Sequence, residues 1–421
     1  MHIMGRSAGR AQRWPLAIVG LTLFVVGCAG PAKRVARPTE AAPPPVVAAP
    51  PPVVALPSPS QHRVALLVPV SGSNAAVGQS IANAANMALL DAGNATVKLT
   101  IYDTANGAAA AASRAMADGA EVVLGPLLAP DARAVAPIAA ARGVPVISFS
   151  NDSALAPAAY VMGFQPGESI ARVVGFARSK GVERFAALVP AGAYGQRASA
   201  AFLKSVQASG GKVVAIEVFV RDRKKLLVSA RRITNYETRV AKAAQAGMVR
   251  QDGTIAPVTN RLSPVGFQAL LIADSGSVAG AFLPALAQYG AGPAAVRLLG
   301  PELWNSEPGL ARVPSMKGAW FAGVPDGRFA QLSARYRTKF GGAPSRLASL
   351  GYDAMLLVNS LGDRWKVGEP FPKRALDDPD GFAGIDGIFR FRGGVAERGL
   401  EVLQIGPGGF TTVAAAPRAF R

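Results

Sequence analysis

Hydrophobic and polar positions divide this chain into three zones. Trp14 to Val26 run thirteen residues without a charge. Residues 29–61 are crowded with proline, and Ala42 to Pro59 carry no charge. From Arg63 onward, short apolar runs alternate with Ala-rich stretches of helical period. The apolar runs predict strands at 64–70, 97–102, 121–124, 144–148, 185–189, 213–218, 268–272 and 296–299. Between them the spacing predicts helices at 78–91, 108–117, from Pro130 toward 144, and at 168–179, 196–208 and 277–289. The last part breaks the alternation: helices are expected at 329–340 and 347–361, then a closing hairpin from Gly387–Phe391 and Leu400–Ile405.

Strand–helix alternation of this kind argues an α/β fold with mostly parallel sheets. About 350 residues exceed the size at which one core keeps growing, so two lobes are expected, each a mostly parallel sheet flanked by helices. Ligands of open α/β sheets bind beyond the carboxyl ends of the strands. The loops of interest are therefore Val70-Ser-Gly-Ser-Asn-Ala-Ala-Val-Gly78, Gly125-Pro-Leu-Leu-Ala129, Ser148-Phe-Ser-Asn-Asp152 and Ala193-Tyr-Gly195.

Composition sharpens the first two zones. Arg6, Arg10 and Arg13 precede the uncharged run, which is too short to span a bilayer that needs roughly 20 apolar residues. The run ends in Val25-Val26-Gly27-Cys28, which resembles a bacterial lipobox, and Cys28 is the only cysteine in the chain. A signal peptide over 1–27 and lipidation at Cys28 are expected, and no intramolecular disulfide can form. Stable anchoring takes two or more acyl chains. Ala29, where an aspartate is missing, points to the periplasmic face of the outer membrane. The Pro-rich zone at 28–61 cannot pack a core and reads as an extended tether, reaching on the order of 90 Å.

The third zone carries a family likeness. Val64-Ala-Leu-Leu-Val-Pro-Val-Ser-Gly72, Gly125-Pro-Leu127, Ala136-Pro-Ile-Ala-Ala-Ala-Arg-Gly-Val-Pro-Val-Ile-Ser148 and Tyr194-Gly195 together resemble the leucine/isoleucine/valine-binding type of periplasmic binding protein, of type 1 fold. The resemblance implies two lobes on a multi-strand hinge and a ligand held in the cleft by closure. The lobes are expected at 62–162 with 302–372, and at 163–301 with 373–421. The residues it implies for ligand binding are Ser71, Ser73, Ser148, Ser150, Asp152 and Tyr194, with Asp274 and Glu302 as further strand-end acids. Ala129 stands where the amino-acid binders carry a carboxylate-holding serine, and Asp152 where they carry a threonine. Both changes weaken a grip on an amino acid. A second likeness is to the C-terminal domain of penicillin-binding-protein activator lipoproteins, carried by Tyr102-Asp-Thr104, Gly125-Pro-Leu-Leu128, Leu298-Leu-Gly-Pro-Glu-Leu-Trp-Asn305 and Gly318-Ala-Trp-Phe-Ala322. That family uses the fold to dock a peptidoglycan synthase.

Other chemistry finds no support. The only histidines are His2, in the leader, and His62, at the linker edge, which argues against a His triad or zinc site. Phosphate-cradling glycine loops and the Gly-x-Ser-x-Gly elbow are missing, so neither an enzyme nor a cofactor is expected. The net charge of +19 is spread over scattered arginines and matches no nucleic-acid motif. Its densest stretch, 221–250, includes Arg223, Lys224, Lys225, Arg231, Arg232 and Arg239; on a helix these form solvated faces or meet an anionic partner. Trp304, Trp320 and Trp365 belong to the core or to a cleft rim. Two expectations follow: a transport-type receptor for a small solute, and a scaffold that regulates peptidoglycan synthesis by contact.

Overall fold

The computed structural model describes residues 61–246 and 262–420. The leader, Cys28, the Pro-rich zone to residue 60 and the end of the basic stretch lie outside the described residues. The chain first lays down β1 (His62–Val68), α1 (Ala75–Ala92), β2 (Val97–Asp103), α2 (Ala108–Ala117), β3 (Val122–Leu124), α3 (Ala129–Ala140), β4 (Val146–Ser148) and β5 (Tyr160–Val161). It continues through α4 (Pro166–Ser179), β6 (Arg184–Pro190), α5 (Ala193–Ala208), β7 (Lys212–Phe219), α6 (Arg223–Ile233), α7 (Tyr236–Ala246), β8 (Ala269–Ile272), α8 (Gly276–Gln288), β9 (Arg297–Gly300) and β10 (Trp320–Gly323). The last part holds α9 (Gly327–Phe340), α10 (Ala348–Ser360), β11 (Phe382–Gly384), β12 (Gly387–Arg392), β13 (Val395–Arg398), β14 (Glu401–Gly406) and β15 (Gly409–Ala414).

Two sheets result, ordered β11-β12-β13-β5-β4-β3-β1-β2 and β15-β14-β10-β9-β8-β6-β7. β1 through β5 pair in parallel, as do β6 through β10, and each set has antiparallel strands only from the C-terminal part. Both faces of the parallel strands are covered, which is why they read as continuous apolar runs. In β1, Val64, Leu66 and Val68 face a core shared with α1 and α10, while Ala65 and Leu67 face α2 and α3. In β6, Ala186 and Leu188 face a core shared with α6 and α8, while Phe185, Ala187 and Val189 face α4 and α5. The period of two along one strand thus feeds two separate cores.

The C-terminal part departs from expectation. The segment 302–323, expected in the first lobe, ends in β10, which lies in the second sheet between β9 and β14. The segment 382–398, expected in the second lobe, supplies β11 to β13 of the first sheet. The expected closing hairpin is therefore absent: Gly387–Arg392 pairs with β11 and β13, whereas Glu401–Gly406 pairs with β10 and β15. Strand periodicity records which residues are buried, not which distant strand they pair with, and the pairings that join these strands to their sheets, β13 with β5 and β14 with β10, are long-range. The chain crosses between sheets at Met162–Gln165, Val324–Asp326 and Gly399–Leu400, so three strands of backbone form the hinge.

Several side chains are also placed differently from expectation. His62 is not at an open linker edge: it opens β1, is buried, and stacks on Trp365 with ring centroids 3.6 Å apart. Trp304 and Trp365 are core residues. Trp320 is half-buried, with the Arg297 guanidinium 4.5 Å from its ring centre. Arg239 is not on a solvated face; it is buried and donates to the carbonyls of Ser263 and Tyr289, both at 2.7 Å.

Candidate functional site

The two lobes start their cleft walls with the same device. β1 ends at Val68-Pro69 and the first turn of α1 contains Gly78; β6 ends at Val189-Pro190 and the first turn of α5 contains Gly195. A Cβ on Gly78 would lie 2.0 Å from the Pro69 carbonyl oxygen, and one on Gly195 would lie 1.6 Å from that of Pro190. Only glycine lets the helix start this close to the strand end. The strand-end loops then converge on a cleft of about 740 Å³. Its apolar lining is Val77, Leu127, Leu128, Phe149 and Leu347 from the first lobe, Leu303 from the second, and Phe164 and Val324 from the hinge; Asn74, Asn151, Asn305, Ser306 and Ser345 are its uncharged polar residues. Glu302 and Arg346 are its charged lining residues.

Arg346 is already committed. Its guanidinium lies 2.7 Å from fully buried Asp386 and 3.4 Å from Asp326, donates to Ser349 and stacks over Phe329 at 4.1 Å. Behind it, Asp353 accepts the Ile385 and Asp386 amides, and burial, then the neighbouring Asp386, pushes its carboxyl up to about 7. At the hinge, Arg398 donates its side chain to the Met162 carbonyl and its amide to Glu168, whose carboxyl burial raises to about 8.

The first-lobe residues expected to bind ligand are turned to their own loops. Ser71 donates to Asp103, which also accepts the Val70 and Ala105 amides at 3.0 Å; the Ser71 hydroxyl and these amides hold the Asp103 carboxyl below its ordinary value. Ser73 is exposed. Ser148 donates to the Pro126 carbonyl and accepts the Ser150 amide, and Ser150 accepts the Asp152 amide. Asp152 accepts the Ala154 amide and pairs with Arg133 on α3 and, at 3.3 Å, with Arg197 on α5. It bridges the lobes, but it does not line the cleft.

The second-lobe residues behave otherwise. Glu302 starts a short helical turn after β9, and its Oε2 accepts from Ser169. Its Oε1 and the Tyr194 hydroxyl are both buried without a hydrogen-bond partner among the described residues. Burial raises the Glu302 carboxyl to about 7. Burial, then the nearby charges of Glu302 and Asp274, drives the Tyr194 hydroxyl well above its ordinary value. Asp274 is held by the Arg221 Nε at 2.8 Å and by the Ser275 amide. The fold thus gathers Tyr194, Asp274 and Glu302 behind one wall, and of the eight expected residues only Glu302 lines the cleft.

Sequence reasoning missed the apolar lining. Leu127, Leu128 and Phe149 lie inside loops it had singled out, where hydroxyls drew the attention and the bulky neighbours carry the surface. Arg346 lies in no motif. Among the described residues no three His, Cys, Asp or Glu side chains converge to hold a metal ion.

The same architecture occurs in solved structures. A putative branched-chain amino acid ABC transporter protein from Rhodospirillum rubrum superposes with a TM-score of 0.67 at 21% identity, covering 84% of this chain and 100% of that one. A solute-binding protein from Rhodopseudomonas palustris BisB5, in complex with 3,4-dihydroxybenzoic acid, gives 0.59 at 19%, covering 85% and 99%. The C-domain of LpoA from Haemophilus influenzae, a regulator of PBP1A, gives 0.59 at 18%, covering 84% and 100%. An uncharacterized protein of Rickettsia prowazekii is 30% identical over 139 residues, 32% of this chain, and the match spans 37% of that relative's length. The family model described as periplasmic binding protein matches residues 61–361, and with its two mostly parallel sheets and three-stranded hinge this chain belongs to that family.

Proposed function

We propose that this protein is an exported, non-catalytic receptor that binds a small solute between its lobes. The observation that carries the reading is the cleft of about 740 Å³ at the strand ends, with apolar side chains from both lobes and the hinge. Such concave, mostly apolar sites with few polar groups are the usual form of small-molecule sites. Two features argue against the carboxylate grip of the amino-acid binders. Ala129 and the inward-turned Ser148 and Ser150 offer no hydroxyl to a carboxylate, and the one cationic lining side chain, Arg346, is neutralised by Asp386 and Asp326. The leader, lipidation at Cys28 and the Pro-rich tether support a periplasmic protein anchored by lipid, with Ala29 favouring the outer membrane.

The test is thermal stabilisation of the mature chain against a panel of apolar solutes, aromatic acids, amino acids and muropeptides. A ligand at a hundred times its Kd should add about 2.7 kcal/mol. No shift with any of them sinks the receptor reading. The second reading is a scaffold that regulates peptidoglycan synthesis by contact. It is favoured by the Arg133–Asp152–Arg197 bridge, which ties the lobes together without a ligand. Crosslinking in cells that yields no peptidoglycan synthase counts against it.

A further inference from the structure

Thirteen large apolar side chains are exposed among the described residues, and six of them fall between residues 214 and 240: Val214, Val218, Val220, Leu227, Val228 and Val240. They belong to β7, to α6 and α7, and to the link between β7 and α6. None of the cleft-lining residues lies on these elements. β7 ends the second sheet: β6 pairs with one side of it, and no described strand pairs with the other. It runs eight residues without a proline, is irregular only at Val214, where its register with β6 shifts, and exposes Val218 at 60%. Proteins usually blunt such an edge with charge, proline or a covering loop, because its unpaired N–H and C=O groups template another strand.

The charge beside this edge is also unusual. Asp222 caps α6, accepting the Lys224 and Lys225 amides at 3.1 Å, yet Arg223, Lys224 and Lys225 fill the first turn and no acid lies within it. Cations there oppose the helix dipole, so helix stability does not explain them. Arg223, Lys224 and Lys225 form no ion pair among the described residues. In the last turn Arg232 lies 3.4 Å from Glu217 of β7, so α6 packs along this strand.

We propose that the β7 edge and the outward face of α6 dock an extended, acidic segment of a partner protein. The segment adds a strand to the second sheet, sets apolar side chains on Val214 and Val218, and turns carboxylates toward Arg223, Lys224 and Lys225. A second copy fits poorly, because a two-fold contact brings the same cations face to face. A bilayer surface also fits poorly, because it leaves the β7 backbone groups without partners. This surface is independent of what the cleft holds.

The probe is a fluorescent peptide alternating valine and glutamate, with a matched valine–lysine peptide as control, titrated against the full mature chain. The acidic peptide should bind and protect β7 amides from hydrogen exchange, and the lysine peptide should not. The triple variant Arg223→Glu, Lys224→Glu, Lys225→Glu should weaken binding at least about tenfold. Val218→Lys should remove the protection at β7 while the melting temperature holds. Equal binding of both peptides, or binding without protection at β7, overturns the proposal. So does attachment to phosphatidylglycerol vesicles, or a concentration-dependent dimer, that the triple variant abolishes while the acidic peptide fails to bind.

Discussion

The two lobes present their strand ends to one cleft but differ in how they treat the polar groups expected there, apart from Asp274 of the second lobe, which is held as those of the first are. In the first lobe Ser71, Ser148, Ser150 and Asp152 are each engaged by nearby amides, carbonyls, carboxylates or arginines, and the wall they leave is mostly apolar. In the second, Tyr194 and Glu302 carry buried oxygens without partners among the described residues. The shared fold therefore transfers positions but not roles. A serine at a strand end binds a ligand only if its own loop has not already used its hydroxyl. Buried polar groups are otherwise almost always paired, which makes the second-lobe wall the place to look for a bound group or a proton.

Four experiments would break or sharpen this contrast. The largest effect is expected where the lobes are alike. Gly78→Ala and Gly195→Ala should each cost about 3 kcal/mol in chemical denaturation, because backbone must move to admit the methyl group. A loss confined to one of the two would show that the device is not equivalent in both lobes.

The next effect is in pH dependence. Glu302, at about 7, and Glu168, at about 8, have carboxyls raised above the ordinary value of 4.5. The native state keeps protons that the unfolded chain releases above that value. The native state then binds more protons, and stability falls as pH rises through roughly 5 to 8. Glu302→Gln should flatten this slope, by on the order of 2 kcal/mol across the window. Melting curves that rise with pH there contradict the burial of these carboxyls.

A smaller effect is expected for Tyr194→Phe. Removing a hydroxyl that has no partner should leave stability unchanged or raise it by about 1 kcal/mol. A clear loss in a denaturant melt would reveal a hydrogen bond in the free protein. A solute shift lost in the same variant would place the ligand against the second-lobe wall. The smallest is Asp152→Ala, which breaks an ion pair whose arginines are partly exposed and should cost about 1 kcal/mol or less. If the bridge holds the lobes together, small-angle scattering should still detect an opening.

Much of the architecture was legible in the sequence because it is local. The alternation of strand and helix and the loops at the strand ends follow from periodicity and turn chemistry over a few residues. The basic stretch was legible as charge, but not the burial of Arg239, which depends on carbonyls of Ser263 and Tyr289.

Tertiary structure alone decided three things. It put β10 and β11–β13 in the opposite sheets from those expected, since strand partners lie far apart in the chain. It left Ser148 and Ser150 facing their own backbone, since a hydroxyl goes to the nearest unpaired group. It also made the cleft apolar by presenting Leu127, Leu128 and Phe149 beside the serines that had drawn attention. Sequence by itself determined the two-lobed α/β class and three of the loops that line the cleft, because burial is written in local periodicity. Which side chains remain free to bind was settled by contacts between distant segments, because a polar group's availability is fixed by whatever packs against it.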